Sequence, residues 1–210
     1  MIKQPISKLS GVISISSSLP NAELGDSPTL NCTFTEPDGL GTTPSVIWSM
    51  SGTDITKPAT QQKGKSLVPL NNIQVSDGGS YVCKVTYSGY GTSESSALSQ
   101  YVNTVIPTSD EVLGKVGEFA NLEVTAYGDV DTVSWFISDS EISTGGYYTI
   151  TSEKSDFGVV AKLVIKSLSG LTYDVVCKIT YTSGKELSTT IQVNPIGGKM
   201  QCSASSTIHV

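Results

Sequence analysis

A five-residue run that occurs twice constrains this chain more than any other feature. Cys83-Lys84-Val85-Thr86-Tyr87 returns 94 residues later as Cys177-Lys178-Ile179-Thr180-Tyr181. Other positions recur with it. Leu30-Asn31-Cys32 returns as Leu122-Glu123-Val124, Trp48 as Trp135, and Val68, Leu70 and Ile73 as Leu163, Ile165 and Leu168. Self-similarity at a fixed period means repeated structural units, and 210 residues are enough for two of ordinary domain size. Inside each unit apolar and polar residues alternate, the pattern of a strand buried on one face. Leu30, Cys32 and Phe34 alternate with Asn31 and Thr33, and Val46 and Trp48 continue the pattern. Tyr81, Cys83, Val85 and Tyr87 share one face, with Val82, Lys84 and Thr86 on the other. Turn-forming stretches separate the strands: Gly25-Asp26-Ser27, the long Gly- and Pro-rich segment 35–44, and Tyr87-Ser88-Gly89-Tyr90-Gly91. Val12 to Ile15 reads as a first edge strand, and residues 1–10 carry no pattern and are expected to fray.

The bulk numbers agree with an all-β chain and exclude some partners. Apolar residues make up 38 %, enough for small sandwich cores, while charged residues are few and Ser, Thr and Gly abundant. A net charge of −6 repels phosphate backbones and gives no attraction to anionic lipid, so neither nucleic acid nor a membrane surface is an expected partner.

The four cysteines are unevenly placed. Cys32 and Cys83 lie 51 residues apart and bracket Trp48, and Cys83 ends the run Asp77-Gly78-Gly79-Ser80-Tyr81-Val82-Cys83. This constellation resembles the immunoglobulin fold. The resemblance covers about residues 11–195 and implies two tandem immunoglobulin-like β-sandwiches, residues 1–105 and 106–195, joined by a stiff junction at 106–110. Residues 196–210 then form a tail or the start of a further segment. It also implies a Cys32–Cys83 disulfide across the two sheets, Trp48 packed on it, and Tyr81 pinning the turn before its strand. Only 35 residues separate Trp48 from Cys83, too few for the extra strands of a variable-type domain, so a C2- or I-type sandwich is expected. The final strand of the first domain should run from about Ala97 to Val105.

The second copy departs from the pattern. Val124 stands where the first cysteine would be, Val175 where the pinning tyrosine would be, with Tyr173 two residues earlier, and one turn is a residue shorter. Cys177 then lacks a cross-sheet partner. Val124, Trp135 and Cys177 are expected to pack as an apolar cluster, since a free Cys behaves as a small hydrophobe. This domain should be the less stable of the two. Cys202 is left for a partner in a downstream domain or a second chain, for Cys177, or for none.

Catalytic chemistry finds little to work with. The one histidine, His209, is next to last, where nothing orients it as a triad requires. No CxxC pair supports a zinc site. Asp156-Phe157-Gly158 spells a kinase magnesium triplet without the rest of a kinase. Asp139 and Glu141 read as a solvated turn rather than a glycosidase pair. Asp110, Glu111, Asp129 and Asp131 spell no calcium loop. The expectation is no enzyme, no catalytic residues, no metal and no cofactor.

What remains is binding surface. The long loop bearing Glu36 and Asp38 and the turn bearing Tyr90 fall at the same end of an immunoglobulin sandwich, and Tyr is a favoured contact residue. Of Tyr147-Tyr148, one should be core and the other exposed. Asn31-Cys32-Thr33 is the one glycosylation sequon, with Asn31 pointing outward. The resemblance implies an extracellular adhesion or recognition module, secreted or on the outer side of the plasma membrane, whose partner is a protein on another cell or a second copy of itself. The alternatives are a ligand-binding ectodomain of a signalling receptor and a structural spacer in a longer array. Residues 1–5 begin no signal peptide and no apolar run approaches ~18 residues. Any signal peptide or membrane span is therefore expected outside the chain. An intracellular module with reduced thiols, of the muscle type, is the other possibility.

Overall fold

The computed structural model describes residues 12–36, 43–57 and 59–197. The chain divides into two compact units, with the division between Thr104 and Val105. Asp38, Cys202 and His209, with the fraying expected at residues 1–10, lie outside the described residues.

The first unit is built from β1 (Ile13–Ser17), β2 (Asn21–Glu23), β3 (Thr29–Phe34), β4 (Ser45–Met50), β5 (Thr53–Asp54), β6 (Thr60–Gln62), β7 (Lys65–Pro69), β8 (Gly79–Tyr87), β9 (Gly91–Glu94) and the first part of β10 (Leu98–Pro107). One sheet runs β1-β3-β7-β6. The other runs β10-β8-β4-β5, with β2 added in parallel to β10 and β9 alongside β8. The alternation seen in the sequence is what closes them face to face: β3 and β8 bury every second residue. Leu30, Cys32, Trp48, Val68, Leu70, Tyr81, Cys83 and Val85 meet in one core.

The second unit takes the end of β10, then β11 (Glu111–Lys115), β12 (Ala120–Tyr127), β13 (Val130–Ile137), β14 (Ser140–Ile142), β15 (Tyr148–Ser155), β16 (Gly158–Ile165), β17 (Tyr173–Tyr181) and β18 (Glu186–Ile196). Its sheets are β15-β16-β12-β10 and β11-β18-β17-β13-β14. The two units therefore repeat one plan, down to the register. Trp48 lies opposite Cys83, and Trp135 opposite Cys177. In both, an early strand pairs in parallel with the last one: β2 with β10, and β11 with β18.

The turns after β2 and β11 show why the repeat is so close. Gly25 and Gly117 sit at φ of 91° and 87°, a region that only glycine enters without strain. Each donates its N–H across the sandwich, to the Ile73 and Leu168 carbonyls, at 2.9 and 3.0 Å. Ile73 and Leu168 donate back to Asp26 and Glu118, at 2.8 and 3.0 Å.

The last strand of the first unit, β10, starts at Leu98, one residue from the expected Ala97, and runs to Pro107, two residues past Val105; β9 precedes it from Gly91, and the two are separated by a break at 95–97. Ser95 causes the break. Its N–H bonds the Cys83 carbonyl at 2.9 Å, while its own hydroxyl accepts the Cys83 N–H at 3.0 Å. A side chain thus stands in for a backbone acceptor, and the ladder shifts as in a β-bulge.

Candidate recognition surface

The internal framework differs between the two units. In the first, Cys32 and Cys83 form a disulfide across the sheets, their Cα atoms 6.3 Å apart. The indole of Trp48 donates to the Ser66 hydroxyl at 3.0 Å. The Tyr81 hydroxyl donates to the Asp77 carbonyl at 2.8 Å, tying the turn to the strand it precedes. Burial, and then the Asp77 charge, push the Tyr81 phenol up to about 12, so it stays a donor throughout the ordinary pH range.

In the second unit Val124, Trp135 and Cys177 share one fully buried cluster. Cys177 is a free thiol, and burial pushes it up to about 12. The Trp135 indole N–H has no hydrogen-bond partner. The repeat explains why: Ala161 stands where Ser66 stands in the first unit, and it is completely buried. Val175, at the position of Tyr81, is also buried and has no hydroxyl to pin the turn.

The second sheet also presents an outward face in each unit. In the first, the strand register sets Ile47 opposite Lys84 and Ser49 opposite Val82. Lys84 pairs with Glu94 at 3.1 Å, and Thr86 bonds Thr92 at 2.9 Å. Ile47 is 40 % exposed, which leaves a branched apolar side chain open on β4, short of the residues that pair with β5. The second unit repeats the layout. Phe136 and Val176 lie opposite each other, and Lys178 pairs with Glu186 at 2.8 Å, beside a shallow cleft of ≈ 470 Å³. Sequence reading did not name the residues of this face, because it takes the strand register to bring Ile47 and Val82 onto one surface.

The residues singled out for contact fare differently. Tyr90 is at the tip of the turn between β8 and β9 and is 38 % exposed, its N–H held by the Tyr87 carbonyl at 3.0 Å. Glu36 is half-buried and turned back on the fold, where its carboxylate accepts the Gly64 N–H at 2.9 Å. Burial, and then this carboxylate, raise the Tyr87 phenol. Asn31 lies between Ser16 and Leu67 on the outer side of the first sheet. It is only half-exposed, and its Oδ1 is sequestered without a partner. Asp139 and Glu141 flank the tight turn between β13 and β14, where Ser138 and Asp139 both take positive φ. Asp156-Phe157-Gly158 is part of the hairpin between β15 and β16. Among the described residues no group of three or more His, Cys, Asp and Glu is placed to hold a metal, and no helix is long and apolar enough to cross a membrane.

The family model of the immunoglobulin domain matches residues 18–95. Together with the repeated two-sheet plan, this decides the fold. The chain is a tandem of immunoglobulin-like domains. Solved tandems share the architecture. Titin-A168169 is 14 % identical with a TM-score of 0.58, over 90 % of this chain and 98 % of that one. Titin Ig tandem domains A164-A165 are 18 % identical with a TM-score of 0.56, over 89 % and 98 %. A chain of the crystal structure of Dpr2 Ig1-Ig2 in complex with DIP-Theta Ig1-Ig3 is 15 % identical with a TM-score of 0.53, over 88 % of this chain and 66 % of that one. At such identities the likeness is one of fold. No curated protein matches the sequence.

Proposed function

We propose that this tandem is an extracellular recognition module that binds protein, and that its partner is a second copy of itself. The observation that carries this reading is the open face of the first Ig domain, where Ile47 and Val82 lie amid neutral hydroxyls with one cross-strand ion pair. A face with an apolar centre and a polar surround has the anatomy of a protein interface. Its Lys84 and Glu94 neutralise each other within the face, so this pair sets no like charges against a second copy. Tyr90 on its tight turn is a second contact candidate. The Cys32–Cys83 disulfide supports an oxidising compartment. The Dpr2 structure is a complex between immunoglobulin tandems, and its likeness in fold makes protein binding a natural use of this architecture. Catalysis has no part in the reading.

Sedimentation velocity over a range of concentrations tests it. The wild-type chain is expected to shift from monomer towards dimer as concentration rises. Ile47→Asp should remain monomeric with an unchanged circular dichroism spectrum. A wild-type chain that stays monomeric at every concentration, or a variant that associates equally well, would contradict self-recognition.

A further inference from the structure

The second Ig domain carries a surface that the reading above does not use. At one end of the sandwich, where β15 begins and β16 ends, a cleft of ≈ 360 Å³ opens to solvent. Tyr147, Tyr148 and Tyr173 line it together with Ile137, Ile165 and Leu171. The rest of the lining is serine and threonine. Tyr147 and Leu171 are 70 % and 75 % exposed, far more than large apolar side chains need to be in a domain with a core of its own.

The main chain that carries Tyr147 and Tyr148 is held in place. Gly145 and Tyr148 exchange two backbone hydrogen bonds, at 3.0 and 2.8 Å, and so close a tight turn with Tyr147 at its tip. The Lys166 N–H bonds the Tyr147 carbonyl at 2.9 Å and anchors the turn to the chain leaving β16. The Thr144 hydroxyl accepts the Ile150 N–H at 3.0 Å on the other side. A backbone fixed in this way loses little further main-chain freedom when a ligand arrives. Burial, and then the neighbouring Tyr148, keep the Tyr173 phenol protonated above its ordinary range.

The lining chooses the ligand by what it lacks. No lysine, arginine, aspartate or glutamate lines the cleft, in a chain whose net charge is −6. A charged ligand would be desolvated there without a counter-charge. No asparagine or glutamine lines it either, so the planar amides that suit paired sugar hydroxyls are missing. What it presents is apolar ring surface with phenol and hydroxyl donors between the rings. That set matches an uncharged extended chain with apolar rings and unpaired carbonyl acceptors, which is polyproline II peptide.

We propose that this tyrosine-lined cleft of the second Ig domain binds proline-rich peptide in the polyproline II conformation. Tyr147 and Tyr173 supply the walls between which proline rings pack, and the hydroxyls donate to the peptide carbonyls. The site is independent of the Ile47 face in the other domain.

Isothermal titration of the full chain with a blocked ten-residue oligoproline tests it, with a Gly-Ser peptide of equal length and maltohexaose as the other arms. Saturable binding of oligoproline alone is expected. Tyr147→Ala should weaken it at least ~10-fold, the scale of losing an anchoring aromatic. Ile47→Asp should leave it unchanged, so failure of this site and failure of self-recognition are read separately. Absence of saturable oligoproline binding, equal binding of the Gly-Ser peptide, preference for maltohexaose, or indifference to Tyr147→Ala would each overturn the proposal.

Discussion

Ala161 and Val124 account for much of the difference between the two domains, because each removes one fastening that the first domain keeps. Trp48 has the Ser66 hydroxyl as acceptor, while the Trp135 N–H is buried with none. A buried donor without a partner costs about 1–3 kcal/mol. Ala161→Ser restores the acceptor at the equivalent position and should raise the second domain's unfolding free energy by ~1 kcal/mol in urea denaturation. Ser66→Ala should cost the first domain a similar amount. Val124→Cys places a thiol opposite Cys177 where the first domain holds its disulfide. It should consume the Cys177 thiol under oxidising conditions and stabilise the domain by ~2–4 kcal/mol, seen as a higher denaturation midpoint and a lower thiol count. If either substitution in the second domain lowered the midpoint, the correspondence of the two cores would be wrong in detail.

At the scale of elements, Ser95 decides how the last strand of the first domain pairs. Its hydroxyl accepts the Cys83 N–H, so Ser95→Ala leaves a buried backbone donor unpaired and should cost about 1–3 kcal/mol. Amide hydrogen exchange should show Cys83 losing protection while β4 keeps its own; unchanged protection at Cys83 would rule this bond out as the cause of the break. The same element marks how far the sequence could be read. β3, β4, β8, β12, β13 and β17 were legible, because a core on one side imposes a period of two on their residues. The Trp48–Cys83 neighbourhood was legible through the resemblance that Cys32, Trp48 and Cys83 carry to the immunoglobulin fold. β5 and β14 were not: two or three exposed residues carry no period. The break at Ser95 was hidden because a serine hydroxyl that replaces a backbone carbonyl leaves no trace in an alternation pattern. Of the surface, Tyr90 was visible as an aromatic between glycines. The Ile47–Val82 face was not, because outward-facing residues are brought together by register.

For the whole molecule, the unequal cross-linking predicts unequal responses. Unfolding the chain in reductant should destabilise the first domain by ~2–4 kcal/mol and leave the second unmoved. Two equal shifts would mean a second bridge. Titration of the denatured, unreduced monomer should find two thiols, Cys177 and Cys202, and in the native state Cys177 should be unreactive because it is fully buried. Alkali should act on both domains, on the first through Tyr81 and on the second through Cys177. The Cys177 thiol ionises near 9.0 when unfolded and near 12 when folded. Below pH 9 both states hold the proton, and its contribution to stability is complete. Between 9 and 12 only the unfolded state releases it, so stability falls as pH rises. Cys177→Ala should flatten that fall, as read from the urea midpoint of the second domain at pH 8 and 10.5.

Self-recognition is the central claim, and bead aggregation tests it most directly. The two-domain chain is coupled through its C-terminus to fluorescent beads in buffer free of reductant, with an unrelated immunoglobulin pair as control. Clusters should form, disperse when soluble chain is added, and fail to form with Ile47→Asp. Beads that stay dispersed with the wild-type chain, while the soluble protein is folded and disulfide-bonded, would contradict homophilic adhesion and assign the open face to a different protein.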